Sequence, residues 1–161
     1  MKLFKFIILA ILIFYFQLLM AAKFSVMKII PNFLISFIIM TSIIFSERTS
    51  LIFAFFMGVA FDLTYPTMLG LNSLSFLVIS YLVSSFHPSI NKERFPVVIL
   101  GVLSLNIVYY LFFFLHHLFS NMFTIPGSID LLVAILYNSI ISLVTLYLLV
   151  LIDHLKLCLD V

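Results

Sequence analysis

The sequence predicts an all-α polytopic membrane protein: a compact bundle of six transmembrane helices, one integral membrane domain over residues 1–161, with N- and C-termini in the cytoplasm. Three observations carry this. Hydrophobic residues make up 65% of the chain and charged residues 9%, against about 45–50% and about 25% in soluble domains. A soluble fold of this size leaves much of its surface wet and cannot hide so much apolar area. The apolar residues also fall into six long runs, and the basic residues between them are unevenly distributed. A soluble enzyme, a disordered chain and a disulfide-knit secreted domain are excluded. A net charge of +2 gives no nucleic-acid footprint, and one cysteine, Cys158, forms no intrachain disulfide.

A spanning helix needs about 20 mostly apolar residues. The first run is 3–22, interrupted by Lys5 and Gln17. It is longer than the apolar core of a signal peptide, so it reads as an uncleaved first helix. The second run is 29–46 and carries no charge. The third, 51–65, contains Asp62, with Thr49 or Ser50 as its expected N-cap and Tyr65-Pro66 as its expected end. The fourth is 68–86, also without charge. The polar stretch His87–Arg94 then leads to the fifth run, 95–118. Ser120-Asn121 and Pro126-Gly127-Ser128 bracket the last connection, and the sixth run is 129–152, with Asp130 in its expected first turn. These runs are apolar on all faces, unlike the short alternating strands of a barrel.

Basic residues favour the cytoplasmic side. With six spans and a cytoplasmic N-terminus, Lys2, Lys5, Arg48, Lys92, Arg94 and Lys156 lie inside, and only Lys23 and Lys28 outside. Six against two sets the orientation.

Asp62 is the acid placed within a span. A carboxylate there must face the bundle interior, a watery cavity or a polar partner. Asn72, ten residues on and across the turn at Pro66, is the expected partner. Three readings stay open: a polar anchor, a solvated helix-end acid, and ligand or proton chemistry. Ala54, Gly58 and Asp62 share one helix face, and Ala54-x-x-x-Gly58 is a small-residue pair that admits a close neighbouring backbone. His116 and His117 point about 100° apart on a helix, so they read as interfacial polar residues and not as a metal site. The sequence contains no phosphate loop, zinc-protease motif or nucleophile elbow. No catalytic residue, metal or cofactor is expected.

One stretch is specific. Gly58-Val59-Ala60-Phe61-Asp62-Leu63, a short turn, and Leu69-Gly70-Leu71-Asn72-Ser73-Leu74 resemble the signature of the rod shape-determining protein MreD family. Pro31-Asn32-Phe33-Leu34 is similar to that family's Pro-Asp-Leu-Leu lead-in to its second span, with asparagine at the aspartate position. The motif covers about residues 54–81, whereas length and short loops fit along the chain.

The resemblance implies a non-catalytic component of the bacterial elongation machinery in the cytoplasmic (inner) membrane. It implies work with an MreC-like bitopic protein, the RodA–PBP2 peptidoglycan synthase and the actin-like MreB, among membrane lipids and without nucleic acid. Ala54, Gly58, Asp62, Gly70, Asn72 and Pro31 are the expected structural or partner-binding residues. The family is also similar in fold to substrate-binding subunits of energy-coupling-factor vitamin importers, which is the alternative function. Those subunits commonly carry Ala-x-x-x-Ala in the first helix, whereas here Ala10 is followed four residues on by Phe14.

Overall fold

A computed structural model describes residues 2–27, 29–64, 69–86, 95–119 and 125–159. Six α-helices follow one another: α1 Lys2–Met20, α2 Phe33–Ile44, α3 Glu47–Thr64, α4 Leu71–Phe86, α5 Phe95–Phe119 and α6 Ile125–Leu159. One 3-10 turn, Ala21–Phe24, follows α1. The described residues contain no strand beyond a lone bridge between Val26 and Ile29. Among them, Leu3–Phe24, Ile99–His116 and Asp130–Leu148 are long and apolar enough to cross a membrane.

Helix α2 is the centre. Nine of its 12 residues are buried, and it packs against α1, α3, α4 and α6. A helix apolar on every face belongs inside a bundle. The surrounding helices each bury one stripe. On α1 it is Phe6, Ala10, Ile13 and Gln17; on α5, Val102, Asn106 and Tyr109; on α6, Ala134, Asn138, Ser142 and Leu146. These spacings of three and four keep residues on one helix face. The other faces of α1 and α6 carry exposed Phe, Leu, Ile and Tyr, as lipid-facing surfaces do.

Several boundaries differ from those expected. The second run is helical only from Phe33, because Asn32 adopts an extended conformation and its side chain caps Leu34 N–H at 3.1 Å. Ile30 and Pro31 precede that cap, and the residue before a proline disfavours helix. Helix α3 begins at Glu47, so Thr49 and Ser50 lie inside it. Ser50 N–H already bonds Ser46 O at 3.0 Å, and Ser46 sits just ahead of the helix. Helix α4 begins at Leu71 after Gly70, whose φ of 90° is glycine territory. Helix α6 begins at Ile125, taking Pro126-Gly127-Ser128 into the helix. Proline tolerates a first turn, where its missing N–H costs nothing. Asp130 therefore lies beyond the first turn, exposed. The expected breaks at Tyr65-Pro66, His87–Arg94 and Ser120-Asn121 lie outside the described residues.

Helices α3 and α4 form the tightest pair. The buried stripe of α3 is Ser50, Ala54, Met57, Gly58, Phe61 and Asp62. At Gly58 the two backbones nearly touch: a Cβ added there would lie 2.4 Å from Ser73 Cα and 2.8 Å from Ser73 N. Ser50 and Ser84 hydroxyls meet at 3.1 Å toward the other end of the pair. Since Ser73 backbone cannot rotate away, Gly58→Ala is expected to cost about 1–3 kcal/mol, the usual range for overpacking. A Cβ at Gly101 meets nothing within 4 Å. Gly101→Ala is then expected to be neutral or stabilising by up to about 1 kcal/mol, the helix-propensity difference. Thermal midpoints in detergent check the pair; equal losses would refute the close approach.

Candidate functional site

Several buried polar side chains of the helices converge on the level where α2 begins. Asp62, on the last full turn of α3, is 2% exposed and accepts four hydrogen bonds. Asn72 donates to Oδ1 from its backbone N–H (3.1 Å) and its side-chain Nδ2 (3.0 Å). Ser73 donates to Oδ2 from its backbone N–H (3.0 Å) and its hydroxyl. The carboxylate thus caps α4 from the neighbouring helix. The first N–H groups of a helix have no partner of their own, and the helix dipole favours negative charge there. The expected Asp62–Asn72 contact is present, and Ser73 joins it.

From Asn72 the chain of bonds continues inward. Tyr109 hydroxyl on α5 donates to Asn72 Oδ1 at 2.7 Å and accepts from Asn32 Nδ2 at 2.8 Å. Tyr109 also stacks on Phe76 of α4, with centroids 5.9 Å apart. Asn32 backbone N–H donates to Asn138 Oδ1 on α6 at 2.7 Å, and Asn138 Nδ2 donates to Tyr110 hydroxyl at 2.5 Å. Gln17 of α1 closes the set. Its Nε2 donates to Pro31 O at 2.9 Å, and its Oε1 accepts from Phe33 N–H at 2.8 Å. One connected cluster therefore reaches all six helices.

Of the residues singled out from the sequence, Gly58, Asp62 and Asn72 meet at the α3–α4 contact. Pro31 joins through its carbonyl. Ala54 is fully buried one turn before Gly58. Gly70 sits at the start of α4, its carbonyl accepting from Leu74 N–H at 2.9 Å, with open space where a Cβ would be. Gln17, expected only as an interruption of the first run, and Tyr109, Tyr110 and Asn138, not expected at the site at all, join it, and each puts a polar group into an apolar run. That signal could have found them. Asn106, also fully buried, makes a separate small cluster: Nδ2 bonds Val102 O at 2.9 Å and reaches Ser142 Oγ at 3.4 Å, while Oδ1 has no partner. His116 lies on α5, and His117 has no described side chain. Among the described residues no three His, Cys, Asp or Glu side chains gather.

These features define a small helical membrane protein whose buried polar groups tie helices to one another. A family model for the rod shape-determining protein MreD matches residues 1–155 of the 161-residue chain, and the chain belongs to that family. No curated protein and no solved structure matches it.

Two comparisons test the cluster. Asp62→Asn replaces one acceptor oxygen with an NH2 that faces Ser73 N–H, leaving a donor unmet at about 1–3 kcal/mol. Asp62→Leu strips acceptors from all four donors and is expected to lose more, including folded yield. Asn138→Leu orphans Asn32 N–H and is expected to cost about 1–3 kcal/mol. Asn106→Leu removes an already unpaired oxygen and is expected to stay within about 1 kcal/mol of the parent. Denaturation in detergent reads all four. Equal loss at Asn106 and Asn138 would sink the distinction.

Proposed function

We propose that this protein is a non-catalytic, multi-pass component of the bacterial cytoplasmic membrane. In this reading it supports rod shape by binding an MreC-like bitopic protein and, through it or beside it, the RodA–PBP2 synthase and MreB. The family match over residues 1–155 carries the reading. It also favours the elongation role over the importer-subunit alternative. The buried polar groups support it too. Asp62 is engaged by four donors of α4, which fits an anchor better than proton or ligand chemistry. The hairpin it anchors ends in exposed Leu63, Leu69 and Leu74, an apolar tip available to a partner.

Six crossings with both termini inside belong to the same proposal. Helix α2, with 12 residues, is about 18 Å long at 1.5 Å per residue. The four residues 29–32 ahead of it add about 13 Å if extended at about 3.3 Å each. Together they match a hydrocarbon core of about 30 Å. The second crossing is thus part strand-like and part helix, and the six-to-two basic bias sets the direction.

The functional test is complementation. In a rod-shaped bacterium depleted of its own MreD-family protein, this chain is expected to restore rods and to co-purify the MreC-like protein. Asp62→Leu should do neither. Spherical cells and no co-purification with well-expressed wild-type chain would refute the proposal. Sidedness is tested in a Cys158→Ser background. Lys23→Cys should react with impermeant maleimide from outside, and Glu47→Cys only from inside. Both side chains are exposed. Labelling of both from one side would refute the second crossing.

A further inference from the structure

Helix α1 lies at the rim of the bundle and packs chiefly against α2. Its buried stripe, Phe6, Ala10, Ile13 and Gln17, faces inward. The opposite face carries Phe4, Ile8, Ile11, Tyr15 and Leu18, all exposed. Their spacings alternate four and three, the heptad pattern that keeps one seam against a second helix. Ile7, Leu12 and Leu19 flank the seam and are exposed as well. At about 100° per residue, Tyr15 points almost directly away from the bundle. It is 59% exposed, and its hydroxyl has no hydrogen-bond partner among the described residues. It also sits near the middle of the span. Within the apolar segment Leu3–Phe24 it is 12 residues from one end and 9 from the other, or about 18 Å and about 14 Å of helix rise. A phenol belongs at the interface, where its hydroxyl finds water or headgroup oxygens. The other exposed tyrosines of the described helices lie nearer an end: Tyr81 is five residues before the end of α4, and Tyr147 one residue before the end of its apolar segment.

We propose that two copies of this protein associate in the membrane through this face of α1, with Tyr15 against Tyr15 of the second copy. Acyl chains offer the hydroxyl no partner, and a hydroxyl left without one in hydrocarbon is costly. A second copy supplies one at the right depth. Two copies inserted in the same orientation are related by a two-fold axis along the membrane normal, so each seam residue faces its own counterpart at the same level. A phenol hydroxyl both donates and accepts, so the two tyrosines are self-complementary. Ile8 and Tyr15 take one core position of the heptad, and Phe4, Ile11 and Leu18 take the other. A single polar residue in such a seam fixes register and the number of helices. A foreign helix would have to bring its own polar group to that depth, whereas a second copy brings one by symmetry. The inference holds for either sidedness of the bundle and does not depend on the partner reading.

The test uses the full chain in phosphatidylethanolamine–phosphatidylglycerol vesicles, in a Cys158→Ser background. Ile11→Cys lies on the seam and leaves Tyr15 in place. Ile140→Cys is a comparison, also exposed at mid-span but on α6. On oxidation, Ile11→Cys is expected to give about fivefold more disulfide-linked dimer than Ile140→Cys, as a specific seam does and random collision does not. The difference should persist when the protein is diluted about tenfold in lipid. Equal yields, or a seam yield that falls in proportion to dilution, overturn the proposal. Energy transfer between copies labelled at Glu47→Cys measures the strength of association. Tyr15→Phe keeps the ring and removes the hydroxyl, and is expected to weaken association about three- to tenfold, the effect of one hydrogen bond between membrane helices. Unchanged association of Tyr15→Phe overturns the tyrosine pair. Cross-linking of Ile11→Cys to a co-expressed bitopic protein, and not to itself, shows that a foreign helix covers the face, and the proposal falls.

Discussion

The structure turns on a stretch of non-helical backbone at the start of α2. In lipid, every N–H and C=O must find a partner within the protein, and a helix does this by itself. Pro31 and Asn32 do not lie in a helix, and Asn32 is extended. Their polar groups are met by side chains from elsewhere: Gln17 on both sides of the break, Asn138 on Asn32 N–H, and Asn32's own side chain on Leu34 N–H. Each helper comes from a different element, so α1 and α6 must stand where they do for α2 to begin where it does. The break in one helix thereby sets the positions of two others.

Asp62 extends that logic to a charge. No cation answers it among the hydrogen bonds described; its four partners are donors on two consecutive residues of α4. This is an economical way to hold a carboxylate in a bundle. The donors would themselves be orphaned at a helix start, so charge and helix end each remove the other's desolvation penalty. Gly58 makes it geometrically feasible, because only a residue without a Cβ lets Ser73 backbone come within reach. Replacing either partner alone should therefore disturb both, as in other connected polar networks.

How much of this was legible in the sequence follows from how local each contact is. The six apolar runs are a property of composition along the chain, and each yields a helix. Asp62 and Asn72 are ten residues apart across one turn, so antiparallel packing alone brings them to the same depth. Asn138 and Asn32 are 106 residues apart. Nothing in either neighbourhood indicates the other, and their meeting depends on which helices surround α2. Boundaries were misplaced for a related reason. Apolar runs mark where lipid or core is, while helix ends are set locally: the Asn32 side chain caps α2, and at α3 the Ser46 carbonyl, ahead of Thr49 and Ser50, already accepts a helical bond from Ser50 N–H. The run from Ile29 reads as uniform membrane sequence, yet Pro31 and Asn32 divide it.

Why a small protein of this family should need so much buried polarity follows from the solvent. Among lipids, apolar side chains do not prefer each other to acyl chains, so the hydrophobic effect that sorts soluble cores gives little guidance. Packing of small residues and hydrogen bonds must then set the register. Here both are used on one helix pair: Gly58 against Ser73 for approach, and Asp62 against Asn72 and Ser73 for register. Sliding α3 by one position along α4 would break four bonds to a carboxylate and drive a side chain into backbone. The apolar outer faces carry no comparable constraint. The hydrogen-bonded interior therefore carries the constraints on helix register, and the apolar exterior carries few. The interior fixes which residues reach the surface, and the surface is then left to be shaped by whatever packs on it.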